Sequence, residues 1–237
     1  MSDNNVTVLQ DMKKILILAI IILLLGGSGV FGYLYWQKIK EDKFLSTNEQ
    51  TKDAYEIIKK REAELKKDKS NYDAYMSLAF HWKGIGEVTK NEKYSWEAIK
   101  VYDKVIRMWG PKAYLPFVNQ ANVYIFLEEY ENAEENFKIA LELDPGEQSL
   151  YIALADLYHD FMNKEDKEIR AVYKKGLETL IGGGNLVLGY AGYLREQEDY
   201  KEALKYYKML QQAYPDNTNY DGVIKELEDK VGAGEEL

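Results

Sequence analysis

A chain of 237 residues with 30% charged residues and only four prolines is built to form long helices. It holds no cysteine, which excludes disulfides, thiolate metal sites and cysteine nucleophiles, and its two histidines cannot support a histidine-rich metal centre. The net charge is −9; residues 1–43 hold five Lys and four Asp+Glu, so the other 26 Lys+Arg and 36 Asp+Glu leave the rest near −10, which argues against nucleic acid as a partner.

Residues 1–14 are polar, contain Asp3, Asp11, Lys13 and Lys14, and have no periodicity, so a disordered tail is expected. Residues 15–36 carry no charge, and thirteen of the 22 are Ile, Leu, Val or Phe. At about 1.5 Å per residue they reach roughly 33 Å, enough to cross a hydrocarbon core. Those thirteen side chains favour insertion by about 4–8 kcal/mol, only partly offset by the glycines. Tyr33, Tyr35 and Trp36 stand where an interfacial aromatic belt belongs. The segment reads as a transmembrane helix, with a cleaved signal peptide ending near Gly26–Gly29 as the alternative. Lysines follow the span at Lys38, Lys40, Lys43 and Lys52, but an N-terminal span led by Lys13 and Lys14 resembles a signal anchor. A cytoplasmic N-terminus and an extracytoplasmic repeat domain are therefore expected. Ser28 and Gly32 form a small-xxx-small pair through which two spans could pack as a homodimer.

Residues 37–70 read as a juxtamembrane linker and an N-terminal capping helix. Ser46 and Glu49 have capping-box spacing for a helix running to about Lys67, with Ala54, Tyr55 and Ile58 on its apolar side. Ser70 and Asp73 repeat that spacing before the next helix.

From residue 71 onward the pattern becomes repetitive. Phe117, Gln120, Ala121 and Tyr124 share one helical face at i, i+3, i+4, i+7. Ala133, Phe137 and Ala140 share a face on the following stretch, Tyr130 stands at the turn into it, and Pro145 closes it. Small residues at Ala121 and Ala133 let two antiparallel helices approach. Thirty-four residues on, Tyr151, Leu154, Ala155 and Tyr158 repeat the first face, and Ile169, Tyr173 and Gly176 repeat the second two residues late. Val187, Tyr190, Ala191 and Leu194 pair with Tyr200, Ala203, Tyr207, Leu210 and Pro215. Upstream, Tyr75, Leu78, Ala79 and Trp82 pair with Ala98, Tyr102 and Val105, across a link expected to be about seven residues longer. These four units, 71–110, 114–147, 148–183 and 184–217, resemble the tetratricopeptide repeat. The resemblance implies an all-α, right-handed solenoid of about four helical hairpins over residues 71–216 that needs capping helices at its ends, and the apolar run 15–36 places one transmembrane helix before it.

Residues 218–237 supply the far cap: Thr218 and Asp221 open a helix with Val223, Ile224, Leu227 and Val231 as its apolar stripe, and Gly232 to Leu237 should fray.

Signals for chemistry are weak. Glu128, Glu129, Glu131, Glu134 and Glu135 cluster, but a solvated corner between helices accounts for them better than acid–base work or a cation site. Gly182–Gly184 lack the Lys-Ser or Lys-Thr that a phosphate loop needs, and read as the turn between the third and fourth units. His81 and His159 have no metal-ligand spacing around them. No catalytic residue, cofactor or metal is expected.

What the resemblance does imply is a peptide- or protein-binding groove lined by the first helix of each hairpin. Opposite the packed face, Met76, Val118, Ile152 and Leu188 recur at one position, apolar in every unit. Phe80, Leu115 and Ile125 extend the stripe, with Lys83, Asn122, Asp156, His159 and Arg195 beside it. Such a stripe suits an amphipathic helix or extended segment. The family's carboxylate clamp wants Lys and Asn where Met76 and Phe80 stand, so that role does not fit. The sequence thus points to a membrane-tethered, noncatalytic scaffold, or alternatively to a permanent structural subunit of an envelope or secretion assembly.

Overall fold

The computed structural model describes residues 29–110, 113–179 and 183–235. The chain divides into two compact units, Met1–Ile57 and Ile58–Leu237. Residues 15–28 of the expected span, including Ser28, lie outside the described residues, as do the tail 1–14 and Gly182. No helix among the described residues is long and apolar enough to cross a membrane.

In the first unit, helix α1 covers 29–47 and the start of α2 (Lys52–Lys67) follows. Val30, Phe31, Tyr33, Leu34, Tyr35 and Trp36 are all exposed on α1. Lys40 Nζ sits 3.5 Å above the Trp36 ring. Ser46 does not open the next helix: its hydroxyl donates to Lys43 O at 3.1 Å and Thr47 does the same at 2.8 Å, so both finish α1. Asn48 organises the turn instead, its side chain accepting from Gln50 N at 2.8 Å. Thr51 donates to Leu45 O at 2.9 Å, and Tyr55 donates its hydroxyl to Asp42.

The second unit is a run of antiparallel hairpins. The helices are α3 (Tyr72–Thr89), α4 (Glu92–Trp109), α5 (Leu115–Phe126), α6 (Tyr130–Leu143), α7 (Gln148–Asp156), α8 (Asp166–Thr179), α9 (Gly184–Glu196), α10 (Tyr200–Ala213) and α11 (Asp221–Glu235). Each odd-numbered helix from α3 to α9 packs on its successor, each second helix packs on the next first helix, and α3 lies beside α5 as α7 lies beside α9. Small residues mark the helix crossings: Ala79, Ala98, Ala121, Ala133, Ala191 and Ala203 are all 0% exposed. In the third hairpin Ile169 replaces the alanine, and the close approach moves to Gly176, which faces Tyr151 and Leu186.

Each hairpin turns on one residue with left-handed backbone: Lys90, Glu128, Asn163 and Glu198, at φ of 53–60°. The first hairpin gains its extra length in the helices and not in the link, since both α3 and α4 run 18 residues and only Lys90 and Asn91 join them. The two-residue surplus of the third hairpin is divided between a π turn, Leu157–Phe161, closed by Met162 N donating to Leu157 O at 3.1 Å, and a link of four residues, 162–165, against three in the second hairpin. Capping before α3 belongs to Asn71, which accepts from Ala74 N at 2.9 Å, whereas Ser70 bonds to Asp68. At the far end Asn217 opens a short 3-10 turn, Thr218–Tyr220, and α11 continues to Glu235, past the point where fraying was expected. Ile224 and Leu227 bury its apolar side.

Polar side chains stitch neighbouring helices together. Gln120 occupies a buried core position because both ends of its amide are used: it donates to Asp103 at 2.6 Å and accepts from Asn136 at 3.0 Å. Arg170 grips Asp166 at 2.7 Å and Asp199 at 2.7 Å, and Tyr193 donates to Asp166 at 2.8 Å. Glu134 departs from the solvated reading of the acidic corner, where Glu128, Glu131 and Glu135 are exposed as expected. The Glu134 side chain is 14% exposed, pairs with Lys138 at 2.5 Å, and accepts from the Tyr158 hydroxyl of the next hairpin at 2.7 Å.

Burial alone would raise the Glu134 carboxyl, but Lys138, Tyr158 and Lys164 together hold it below the ordinary carboxylate value. Tyr158 moves the other way, pushed up to about 12 by burial and by the acceptor carboxylate. Glu134→Ala should therefore cost about 1.5–3 kcal/mol, the range for a charged hydrogen bond, with a lowered urea midpoint as the measurement. Because the folded value is depressed, this contribution is present above the ordinary carboxylate value and is lost as pH falls through the depressed one. The gap between wild type and variant should close on acidification below about pH 4.

Candidate functional site

The first helices α3, α5, α7 and α9 carry the expected stripe. Side-chain burial divides it. Phe80, Leu115 and Leu188 are exposed, at 60%, 46% and 38%. Val118, Ile125 and Ile152 are half-buried against the large core, and Met76 against the smaller one around Ala79 and Tyr102. Replacing Met76 by a polar residue would therefore disturb packing as well as the stripe. Lys83 is tied to Glu87 on its own helix at 3.0 Å, and Arg195 to Glu226 of α11 at 3.3 Å. Asn122 is exposed.

Four of the twelve candidates come together. Ile152, Asp156, His159 and Leu188 border one pocket of about 310 Å³ between α7 and α9. Tyr173 and Tyr193 form its aromatic wall, with Asp160 and Glu196 at its edge. Their positions follow from helical spacing: Ile152, Asp156 and His159 step along α7 into the π turn, which carries His159 and Asp160 to the same opening. The other eight candidates do not border this pocket. A neighbouring cleft of about 360 Å³ shares Leu188 and is otherwise polar, lined by Gln148, Asn185 and Asn217 among others.

The electrostatics are acidic. Asp160 meets His159 Nδ1 at 2.9 Å, and His159 lies edge-on to Tyr193 at 5.4 Å. Partial burial raises the Asp156 carboxyl, repulsion from Asp160 and Glu196 adds to it, and His159 opposes it. Gly192 leaves an opening, since a Cβ built there would meet nothing within 4 Å.

Sequence reasoning missed the other side of the hairpins. A cleft of about 590 Å³ lies between α6 and α8 over Tyr151 and Leu154, and another of about 440 Å³ between α8 and α10 over Val187 and Leu210. Period alone assigns those floor residues to the core, and nothing in it reveals that successive second helices stand apart.

Among solved structures the chain is similar to a tetratricopeptide repeat protein from Parabacteroides merdae, with a TM-score of 0.53 and 19% identity over 84% of this chain and 73% of that one. The fold is that of the tetratricopeptide repeat. Two crystal structures of MamA are also similar, with TM-scores of 0.50 and 0.51. Identities are 17% and 19%; the matches cover 76% and 69% of this chain and 90% and 84% of those. No family model and no curated protein matches the sequence.

Proposed function

We propose that the protein is a membrane-tethered, noncatalytic scaffold that holds a peptide or protein segment in the groove of its repeats. The observation that carries this reading is the pocket between α7 and α9, where an apolar pair, Ile152 and Leu188, sits beside carboxylates and an imidazole. Concave sites with an apolar floor and a few convergent polar groups are where ligands bury most surface. The tether is supported by the uncharged run 15–36 and by the exposed aromatic residues that continue it on α1. A cytoplasmic N-terminus with the repeats outside the cytoplasm completes the proposal.

Gly192→Leu provides the test. The new side chain meets no neighbour at its Cβ and replaces glycine within a helix, so stability should hold or rise by up to about 1 kcal/mol. It should also fill the pocket mouth. Affinity capture with the full-length protein from native membranes should lose a defined set of partners in the variant while the melting temperature stays at or above wild type. Retention of every partner would place binding elsewhere. Resistance of the full-length protein to carbonate extraction tests the tether, and protease accessibility of the repeats in sealed vesicles tests the orientation.

A further inference from the structure

We propose that the groove between α7 and α9 takes a basic peptide segment, with an arginine or lysine entering among Asp156, Asp160 and Glu196 and an apolar neighbour resting on Ile152 and Leu188. This deepens the groove reading above and rests on it.

Charge complementarity selects the occupant. Several carboxylates elsewhere on the helices are matched locally: Glu62 by Lys59, Glu87 by Lys83, Glu97 by Lys100 and Glu202 by Lys205, each three or four residues away. The lining of the groove holds three carboxylates and no lysine or arginine. Among the described residues Asp156 and Glu196 form no ion pair, and Asp160 has only His159. The three carboxylates are exposed and border a pocket that also presents Ile152 and Leu188, so a cation arriving there meets converging negative charge beside apolar surface. The net charge of −9 draws basic segments from a distance as well.

A bare metal ion fits poorly, because no group of three acidic or histidine side chains among the described residues is arranged to hold one. A long basic side chain fits better, since its apolar stem can lie along Ile152 and Leu188 while its charged end reaches the carboxylates.

The experiment uses the full-length protein in detergent micelles and three fluorescein-labelled decapeptides. The peptides share one leucine-containing frame and carry arginine, glutamine or glutamate at the same two central positions. Fluorescence anisotropy should give the arginine peptide an affinity about tenfold or more above the glutamine peptide, with the glutamate peptide weakest. That advantage should shrink as salt rises. Asp156→Asn combined with Glu196→Gln should erase the advantage and leave glutamine-peptide binding unchanged. Glu196→Gln alone, at an exposed position, should reduce it part-way.

Equal binding of the arginine and glutamine peptides, with both lost in Gly192→Leu, would overturn the charge assignment and leave the groove reading standing. An arginine advantage that survives the double substitution would overturn the assignment to these carboxylates. Failure of all three peptides to bind, or binding that ignores Gly192→Leu, would count against both.

Discussion

Ala133→Glu should lower the stability of the repeat unit by about 3–5 kcal/mol, the cost of a buried charge left without a partner. Ala133 is 0% exposed where α6 packs on α5, and Ala121 on the facing helix is equally buried. A glutamate there has no room for its stem and no cation for its carboxylate. Protonation would relieve the charge but leave the overpacking, which itself costs about 1–3 kcal/mol. Glu135→Ala, two residues along on the exposed face, should change stability by less than about 0.5 kcal/mol. Thermal melts followed by circular dichroism separate the two, and equal melting temperatures would contradict the packing of α5 on α6.

Gly86→Ala should destabilise by about 1–3 kcal/mol even though alanine is the better helix former. A Cβ at Gly86 would meet the Ser95 side chain and, at 2.9 Å, the Ser95 backbone nitrogen. Backbone of α4 cannot rotate aside as a side-chain tip can, so the hairpin itself must open. Gly84, two residues earlier on the same helix, has nothing within 4 Å of its Cβ position. Gly84→Ala should therefore be neutral or stabilising by up to about 1 kcal/mol. Opposite signs for the two variants are the expected result in urea titrations, and a shared sign would mean that the α3–α4 approach is looser than this geometry.

The pairing of helices could be read from the chain because it depends on small residues at fixed offsets. Ala121 with Ala133 and Ala191 with Ala203 carry their meaning locally, and a period of 3.6 puts them on the packed face. Glu134 shows why other features could not be read. Its neighbours in sequence are charged and polar, so local period assigns it to solvent, while its decisive partner Tyr158 lies 24 residues away in the next hairpin. The half-burial of Met76 was illegible for the related reason that wheel position gives direction but not how far a neighbouring helix reaches over it. Ser46 failed because the capping spacing is satisfied equally well by a serine ending one helix as by one starting the next. For the groove, the stripe at Ile152 and Leu188 was visible as recurrence. That Asp160 and Glu196 join it depends on the π turn and on the side-by-side packing of α7 and α9, neither of which leaves a periodic trace.

The π turn at Leu157–Phe161 also says where this chain accommodates changes of length. Two surplus residues are taken up there and in the link that follows without disturbing Ile169, Tyr173 or Gly176, which stay on the packed face of α8, and the first hairpin likewise grows outward from its helix crossing. The edge formed by the turns within hairpins is thus elastic with respect to sequence, while the opposite edge, where one hairpin hands over to the next, keeps its register. Insertion and deletion can reshape the rim around His159 and Asp160 while the scaffold beneath it stays constant, so the lining of this pocket can diverge faster than the fold that supports it.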